Sequence, residues 1–160
     1  MEESQERYMR LACDLANNNI ENGGGPFGCI IVNPISNTIV GIGENMVRIQ
    51  NDPTQHAEIV AIRHAARTLK TYDLSQCILY TSCEPCPMCF GAIYWSRIRR
   101  VYYGNTREDA ASIGFDDAAI YEEISKPIEL RRIVQMTHLL PEVAKEAFDK
   151  WRELDVKPAY

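Results

Sequence analysis

Two short segments carry side chains that together could bind a metal ion and move protons. His56-Ala57-Glu58 supplies an imidazole and a carboxylate, and Pro85-Cys86-Pro87-Met88-Cys89 supplies two thiols. One histidine nitrogen and two thiolates are typical zinc ligands, and such a set of three leaves the fourth tetrahedral position to water. Zinc lowers the pKa of a bound water to about 7. A carboxylate that is not a ligand must then move protons, and Glu58 is the candidate.

The spacing within these segments supports a shared site only in part. Cys86 and Cys89 are three residues apart and share one face of a helix. A helix start at this point would also favour the thiolate form, because the N-terminal end of a helix is partially positive. His56 and Glu58 are two residues apart and would diverge in the middle of a helix. They reach one site only if the end of their helix points at it.

The elements that must position these segments alternate between helices and strands. Apolar residues repeat at helical spacing over residues 4–19, and Asp52-Pro53 has the form of a helix cap followed by a first helical residue. The alternation indicates an α/β protein with a mixed sheet. We predict helices over residues 4–19, 53–69, 87–96 and 141–151, and strands over residues 27–32, 38–43, 77–82, 100–103 and 133–137.

Length and composition narrow the class of protein. The 160 residues suit one domain, and 46% apolar with 24% charged residues is ordinary globular composition. The net charge of −5 argues against a nucleic-acid partner, because phosphate binding needs a basic surface. The apolar runs are far shorter than the roughly 20 residues that cross a bilayer. We therefore expect a small-molecule substrate, with neither nucleic acid nor membrane as partner.

The six cysteines do not indicate a disulfide framework, although their number is even. The N-terminus is acidic and lacks a signal-peptide pattern, and the chain has no Asn-x-Ser/Thr acceptor. Three of the six, Cys83, Cys86 and Cys89, fall within seven residues, as in a metal or redox site. The remaining cysteines lie in helix or strand stripes, where they act as small apolar residues. We expect a cytoplasmic protein.

The order of these motifs matches one enzyme class closely. H-x-E followed by P-C-x-x-C is the arrangement found in zinc-dependent base deaminases. The sequence resembles the cytidine-deaminase-like superfamily and, within it, the small bacterial guanine deaminases. Gly-Phe-Asp-Asp at residues 114–117 and the terminal Tyr160 are similar to the guanine branch. The other matching segments, shared with tRNA adenosine deaminases, are residues 24–28, 51–58, 80–89 and 92–95.

The resemblance implies a fold, a cofactor and an assembly. The fold would be a three-layer α/β/α cytidine-deaminase-like fold with a mixed sheet. Residues 1–152 would form the deaminase domain, and residues 153–160 a C-terminal tail that is exchanged between the subunits of a homodimer and closes the active site. One zinc ion per subunit would be held by His56, Cys86 and Cys89.

The resemblance also implies a reaction, the hydrolysis of guanine to xanthine and ammonia. Glu58 would take a proton from water and pass it to the purine ring, and Asp117 would assist the leaving amine. The substrate-binding residues would be Asn45, which bonds the purine, together with Ala57, Phe27, Trp95 and Tyr160.

Several alternatives stay open at this point. Related activities are guanosine deamination, which needs room for ribose, and tRNA adenosine deamination, which needs a basic face. A protein of a different class would be a non-catalytic zinc module, in which Cys83 completes a Cys₃His set, or an iron–sulfur site. Glu58 could be only a first-turn helix carboxylate, and Asp116 or Asp117 only a helix cap. The sequence does not decide which of the two aspartates is catalytic.

Overall fold

A four-stranded mixed sheet organises the first of two compact units, which meet in sequence after Asp117. The computed structural model describes residues 2–157, with side chains from residue 4 onward. The strands are β1 (Gly28–Asn33), β2 (Thr38–Glu44), β3 (Ile78–Cys83) and β4 (Arg100–Asn105). Their order is β2-β1-β3-β4, in which β1 is antiparallel to both neighbours and β3 is parallel to β4. The predicted α/β class with a mixed sheet is confirmed.

Helices cover both faces of this sheet. α1 (Glu2–Glu21) packs on one face, and α3 (Ala57–Leu69) and α4 (Pro87–Trp95) pack on the other. Successive residues of β1 alternate between the two apolar clusters that result, as the period of a strand requires. Ile30 lies with α1, whereas Ile31 lies with α3 and α4. The predicted three layers are therefore present.

The helix that leads into the first motif begins later than predicted. The side chain of Asp52 accepts hydrogen bonds from Thr54 N at 2.8 Å and from Gln55 Nε2 at 3.1 Å. These bonds hold a turn, so the Asp-Pro pair does not start a helix. α3 begins at Ala57, with His56 as its N-cap in an extended conformation. The short helices α2 (Val47–Gln50) and α5 (Arg107–Ser112) were not predicted.

Two glycines of β2 allow the sheet to lie directly against α3. A Cβ added at Gly41 would lie 2.5 Å from Ala61 O, and one added at Gly43 would lie 2.0 Å from Ala57 O. Ala57 and Ala61 are both fully buried at this contact. The distance between β2 and α3, and with it the position of the helix start, depends on the absence of these side chains.

The second unit, from Ala118 onward, has no buried residue in any of its helices as far as residue 157. It contains α6 (Ala118–Ser125), a 3₁₀ turn (Ile128–Leu130) and α7 (Pro141–Arg152). The predicted strand over residues 133–137 is wrong: this segment is neither helix nor strand. Its start is bound by a side chain and not by a neighbouring strand, since Glu123 Oε2 accepts hydrogen bonds from the backbone N–H groups of Arg132 and Ile133.

Within residues 2–157, no helix combines the length and the apolar content needed to cross a membrane. The separation of a deaminase domain over residues 1–152 from a tail over residues 153–160 stays a prediction.

Candidate active site

The three predicted zinc ligands form one cluster. His56 Nδ1 lies 3.5 Å from Cys86 Sγ and 3.5 Å from Cys89 Sγ, and all three ligand atoms are within 4.8 Å of one another. Tetrahedral zinc with Zn–S near 2.3 Å and Zn–N near 2.0 Å requires N···S distances of about 3.5 Å. The two N···S distances therefore fit a zinc ion.

The starts of two helices bring these ligands together. His56 is the N-cap of α3 and Cys86 is the N-cap of α4, where Pro87 occupies the first turn and Cys89 follows. Because the end of α3 points at the cluster, His56 and Glu58 reach the same site despite their spacing of two residues. Both helix starts also place partial positive charge near the thiolates.

The pKa values of the three ligand side chains shift in different directions. A hydrogen bond from the Cys89 thiol, supported by His56, lowers the pKa of Cys86 to about 4. The same hydrogen bond and burial raise the pKa of Cys89. The hydrogen bond to Cys86 raises the pKa of His56 above its ordinary value. These shifts favour the thiolate form of Cys86 and the thiol form of Cys89, so zinc binding would displace a proton.

Glu58 is buried beside this cluster and is not a solvated helix residue. It is 6% exposed, it accepts a hydrogen bond from Thr81 Oγ1 at 3.3 Å, and Cys89 Sγ lies 3.4 Å from its Oε2. Burial raises the pKa of its carboxyl group. A carboxyl group with a raised pKa is suited to accept and return a proton near neutral pH. A helix-dipole role alone does not explain this burial.

Cys83 does not belong to the cluster. It ends β3, and its thiol donates to Thr106 O over 3.7 Å, away from the other thiols. Burial raises its pKa to about 11, which keeps it a thiol. Among residues 2–157 the group that could hold a metal contains His56, Cys86 and Cys89 alone. The Cys₃His and iron–sulfur alternatives therefore lack their fourth ligand in this part of the chain.

The predicted purine contacts lie in two connecting segments and at the start of α3. Asn45, which is 7% exposed, accepts a hydrogen bond from Val47 N on its Oδ1, and its backbone N–H donates to Phe27 O at 3.1 Å. The Phe27 ring packs edge-on against Phe115, with 5.0 Å between the ring centroids. Ala57 is fully buried. The substrate roles of these residues stay predictions.

The two candidate aspartates have different surroundings. Asp117 is half-buried, whereas Asp116 is exposed. Burial and then the charge of Cys86 raise the pKa of Asp117. The role of Asp117 as a second catalytic carboxylate stays a prediction.

The two remaining predicted substrate-binding residues are Trp95 and Tyr160, and their roles stay predictions. Trp95 ends α4 and is 65% exposed, and at nine positions beyond Cys86 it lies about 13 Å farther along the helix axis. Tyr160 lies outside the described residues. The structure also adds a residue that the sequence did not indicate, Thr81, whose hydroxyl group holds Glu58. Its position on a buried strand was predictable, but its contact with α3 was not.

The chain is similar to known proteins both in the region that carries the zinc ligands and over nearly its whole length. Residues 2–105 match the family described as the cytidine and deoxycytidylate deaminase zinc-binding region. The chain is 49% identical over 160 residues to a guanine deaminase of Bacillus subtilis, with 97% of this chain and 96% of that protein covered. It is 41% identical over 120 residues to a tRNA-specific adenosine deaminase of Haemophilus influenzae, with 72% and 69% covered. The crystal structure of guanine deaminase from Bacillus subtilis superposes with a TM-score of 0.91, at 46% identity and with 97% and 98% covered.

Proposed function

The chain belongs to the cytidine and deoxycytidylate deaminase zinc-binding family, and from that premise we propose that it is a guanine deaminase that hydrolyses guanine to xanthine and ammonia. The observation that carries the proposal is the extent of the match. Likeness to the Bacillus subtilis guanine deaminase covers 97% of the chain, whereas likeness to the tRNA-specific enzyme covers 72%. The Gly-Phe-Asp-Asp segment, at residues 114–117, lies outside the residues 2–105 that the family model matches, so the family match does not account for it.

The residues of the cluster divide the chemical work. Zinc bound by His56, Cys86 and Cys89 would supply a Lewis acid that acidifies a water. Glu58, buried and 3.4 Å from Cys89 Sγ, would accept the proton of that water and donate it to the purine ring as oxygen adds at C2. Asp117 would assist the amine as it leaves as ammonia. Guanine and water are thereby converted into xanthine and ammonia.

Asn45 has one side-chain group available for the substrate. Its Oδ1 accepts from Val47 N at 3.3 Å, so its Nδ2 is the atom that would donate to an acceptor on the purine. Phe27 and Ala57 would supply apolar surface to the base. A hydrogen-bond donor from Asn45 combined with apolar surface from Phe27 and Ala57 suits recognition of a small planar molecule with donors and acceptors on its edge.

The protein further acts as a homodimer in which the C-terminal segment, including Tyr160, completes the active site of the partner. The support is the number of large apolar side chains that the second unit exposes, because exposed apolar surface marks sites of interaction. Its large exposed apolar side chains are Ile120, Tyr121, Ile124, Ile128, Leu130, Ile133, Val134, Met136, Leu139, Leu140, Val143, Phe148, Trp151, Leu154 and Val156. A deaminase domain over residues 1–152 with an exchanged tail over residues 153–160 is part of the same proposal.

The cytoplasm is the proposed location. None of the six cysteines, all within the described residues, forms a disulfide, and thiolate zinc ligands persist in a reducing compartment. The net charge of −5 supports a free base as the substrate over tRNA.

A substrate panel tests the assignment. The purified zinc-loaded protein is mixed separately with guanine, guanosine, cytosine, adenine and a tRNA, and ammonia release is measured. We expect turnover of guanine. Turnover of guanosine or tRNA without turnover of guanine would overturn the assignment. Saturation of the zinc by four protein ligands, seen by X-ray absorption spectroscopy, would favour the non-catalytic zinc module instead.

A truncation tests the role of the C-terminal segment. Deletion of Asp155–Tyr160 should abolish guanine turnover while the zinc content stays at one ion per subunit. An unchanged rate would remove the segment from the active site.

A further inference from the structure

The side chain of Asn19 joins the end of α1 to the segment that carries Asn45. It is 1% exposed, and its Nδ2 donates to Gly25 O at 2.8 Å and to Asn45 O at 2.9 Å. Its own backbone carbonyl accepts a hydrogen bond from Gly24 N at 2.9 Å. One buried amide thus binds both the glycine-rich loop, residues 23–25, and Asn45, the residue proposed to bond the purine.

Glycines pack closely against both residues of this contact. A Cβ added at Gly24 would lie 2.3 to 2.5 Å from three atoms of the Asn19 side chain. A Cβ added at Gly25 would lie 3.1 Å from Asn45 Cγ and 3.2 Å from its Oδ1. The loop therefore packs against Asn19 and Asn45, and a larger residue at Gly24 would displace the Asn19 side chain.

Asn45 is held at three of its polar groups. Its backbone N–H donates to Phe27 O, its backbone carbonyl accepts from Asn19 Nδ2, and its Oδ1 accepts from Val47 N. Of these three contacts, the bond from Asn19 is the one in which the side chain of another residue holds Asn45. It is therefore the contact that a substitution can remove while Asn45 itself stays unchanged.

We propose that Asn19 is a positioning residue for substrate recognition, which acts by holding Asn45 so that its Nδ2 faces the base. The inference rests on the proposed function, in which Asn45 bonds the purine. The hydrogen bonds of the Asn19 side chain go to Gly25 and Asn45, and none goes to a zinc ligand or to Glu58 among residues 4–157. Loss of this side chain should therefore weaken binding of the base and leave the zinc and proton-transfer groups in place.

A double-mutant cycle tests this coupling. Asn19→Ala, Asn45→Ala and the double variant are compared with the unmodified protein in steady-state kinetics, zinc content and melting temperature. We expect Asn19→Ala to raise KM about tenfold or more with kcat changed less than about threefold, as loss of uniform binding does. In the Asn45→Ala background the same substitution should change KM by less than about twofold, because its effect passes through Asn45.

The same helix offers a matched control. Asn18 is exposed, and Asn18→Ala should leave KM and kcat unchanged. If Asn19→Ala does not fold, Asn19→Ser, which keeps a small donor, takes its place in the cycle. An equal rise of KM in both backgrounds, a fall of kcat with KM unchanged, or loss of zinc would each show a purely structural role and overturn the inference.

The cycle is measured with whichever base of the panel the unmodified protein deaminates. Turnover of a base other than guanine would overturn the guanine assignment and would still leave Asn19 tested. Additive effects of the two substitutions on guanine turnover would overturn the positioning role and leave the assignment intact. Absence of turnover with every base would overturn both.

Discussion

Glu58 differs from another glutamate at an equivalent helix position because its surroundings differ. Glu58 and Glu108 both lie in the first turn of a helix. Burial raises the pKa of Glu58, whereas hydrogen bonds, the largest from its own backbone, lower the pKa of the exposed Glu108. The helix dipole acts on both residues, so burial beside the zinc ligands is what suits Glu58 to proton transfer.

Glu58→Gln should keep zinc and lose turnover by about 10²- to 10⁴-fold, because a positioned proton carrier contributes that much to rate. Glutamine preserves the size of the side chain and can still accept the hydrogen bond from Thr81. The matched control is Glu108→Gln, which changes a first-turn carboxylate outside the site. Ammonia release and zinc content are measured for both; a fully active, zinc-loaded Glu58→Gln protein would contradict the proton-transfer role.

Asp117→Asn should lower kcat by about 10²-fold, whereas Asp116→Asn should stay within about twofold, if the half-buried carboxylate is the one that assists the leaving amine. The difference follows from the exposure of Asp116 and from the influence of Cys86 on Asp117. Steady-state kinetics with guanine compare the two variants. The reverse order of effects would assign the role to Asp116.

Zinc binding should release protons. At pH 7 Cys86 is already a thiolate, Cys89 is a thiol because its pKa is raised, and the raised pKa of His56 keeps part of it protonated. Ligands must be deprotonated to bind, so about one to two protons should leave per zinc, and zinc affinity should fall as the pH falls. Calorimetry of zinc binding in buffers of different ionisation enthalpy measures the number. Binding without proton release would contradict these protonation states.

At the scale of elements, the site depends on how close β2 lies to α3. His56 and Glu58 share the site because α3 starts at Ala57 and its end points at Cys86 and Cys89. The contact with β2 that supports this helix start passes through Gly43, where an added Cβ would lie 2.0 Å from Ala57 O. The zinc ligand His56, at the N-cap of α3, therefore depends on a contact made by a residue that has no side chain.

Gly43→Ala should destabilise the fold by about 1–3 kcal/mol, as overpacking does, and should weaken zinc retention because α3 must move. Urea unfolding and zinc loss to a chelator are the measurements. Thr38→Ala, an exposed change in the same strand, is the control and should alter neither. Normal stability and normal zinc retention in Gly43→Ala would show that the contact does not position the helix.

At the scale of the whole molecule, the two units differ in how they use apolar residues. The first unit buries them in two clusters on either side of the sheet. In the second unit the helices bury none of theirs within the described residues. An unburied apolar surface of this kind gains stability only by association, which is the physical basis of the proposed dimer.

Mixing two inactive variants tests the exchanged tail. Glu58→Gln lacks the proton carrier, and the Asp155–Tyr160 deletion lacks the tail, so a mixed dimer would regain one complete site. Random exchange of subunits should restore about a quarter of the normal activity. Sedimentation velocity measures the size of the assembly, and ammonia release measures the activity.

A chain that carries both changes is the control, since mixing it with the deletion variant should restore nothing. Inactive mixed dimers, or a monomer at every concentration, would rule out exchange.

The sequence by itself determined the chemistry of this protein, because ligand type, ligand number and a neighbouring carboxylate are local properties of two short segments. It also indicated the α/β class and the four strands of the sheet, since apolar periodicity reports which face of a local element is buried. Tertiary structure decided the true start of α3, the exclusion of Cys83 and the hold of Asn19 on Asn45. These features depend on distances between residues far apart in the chain, and such distances are set by packing that no local pattern encodes.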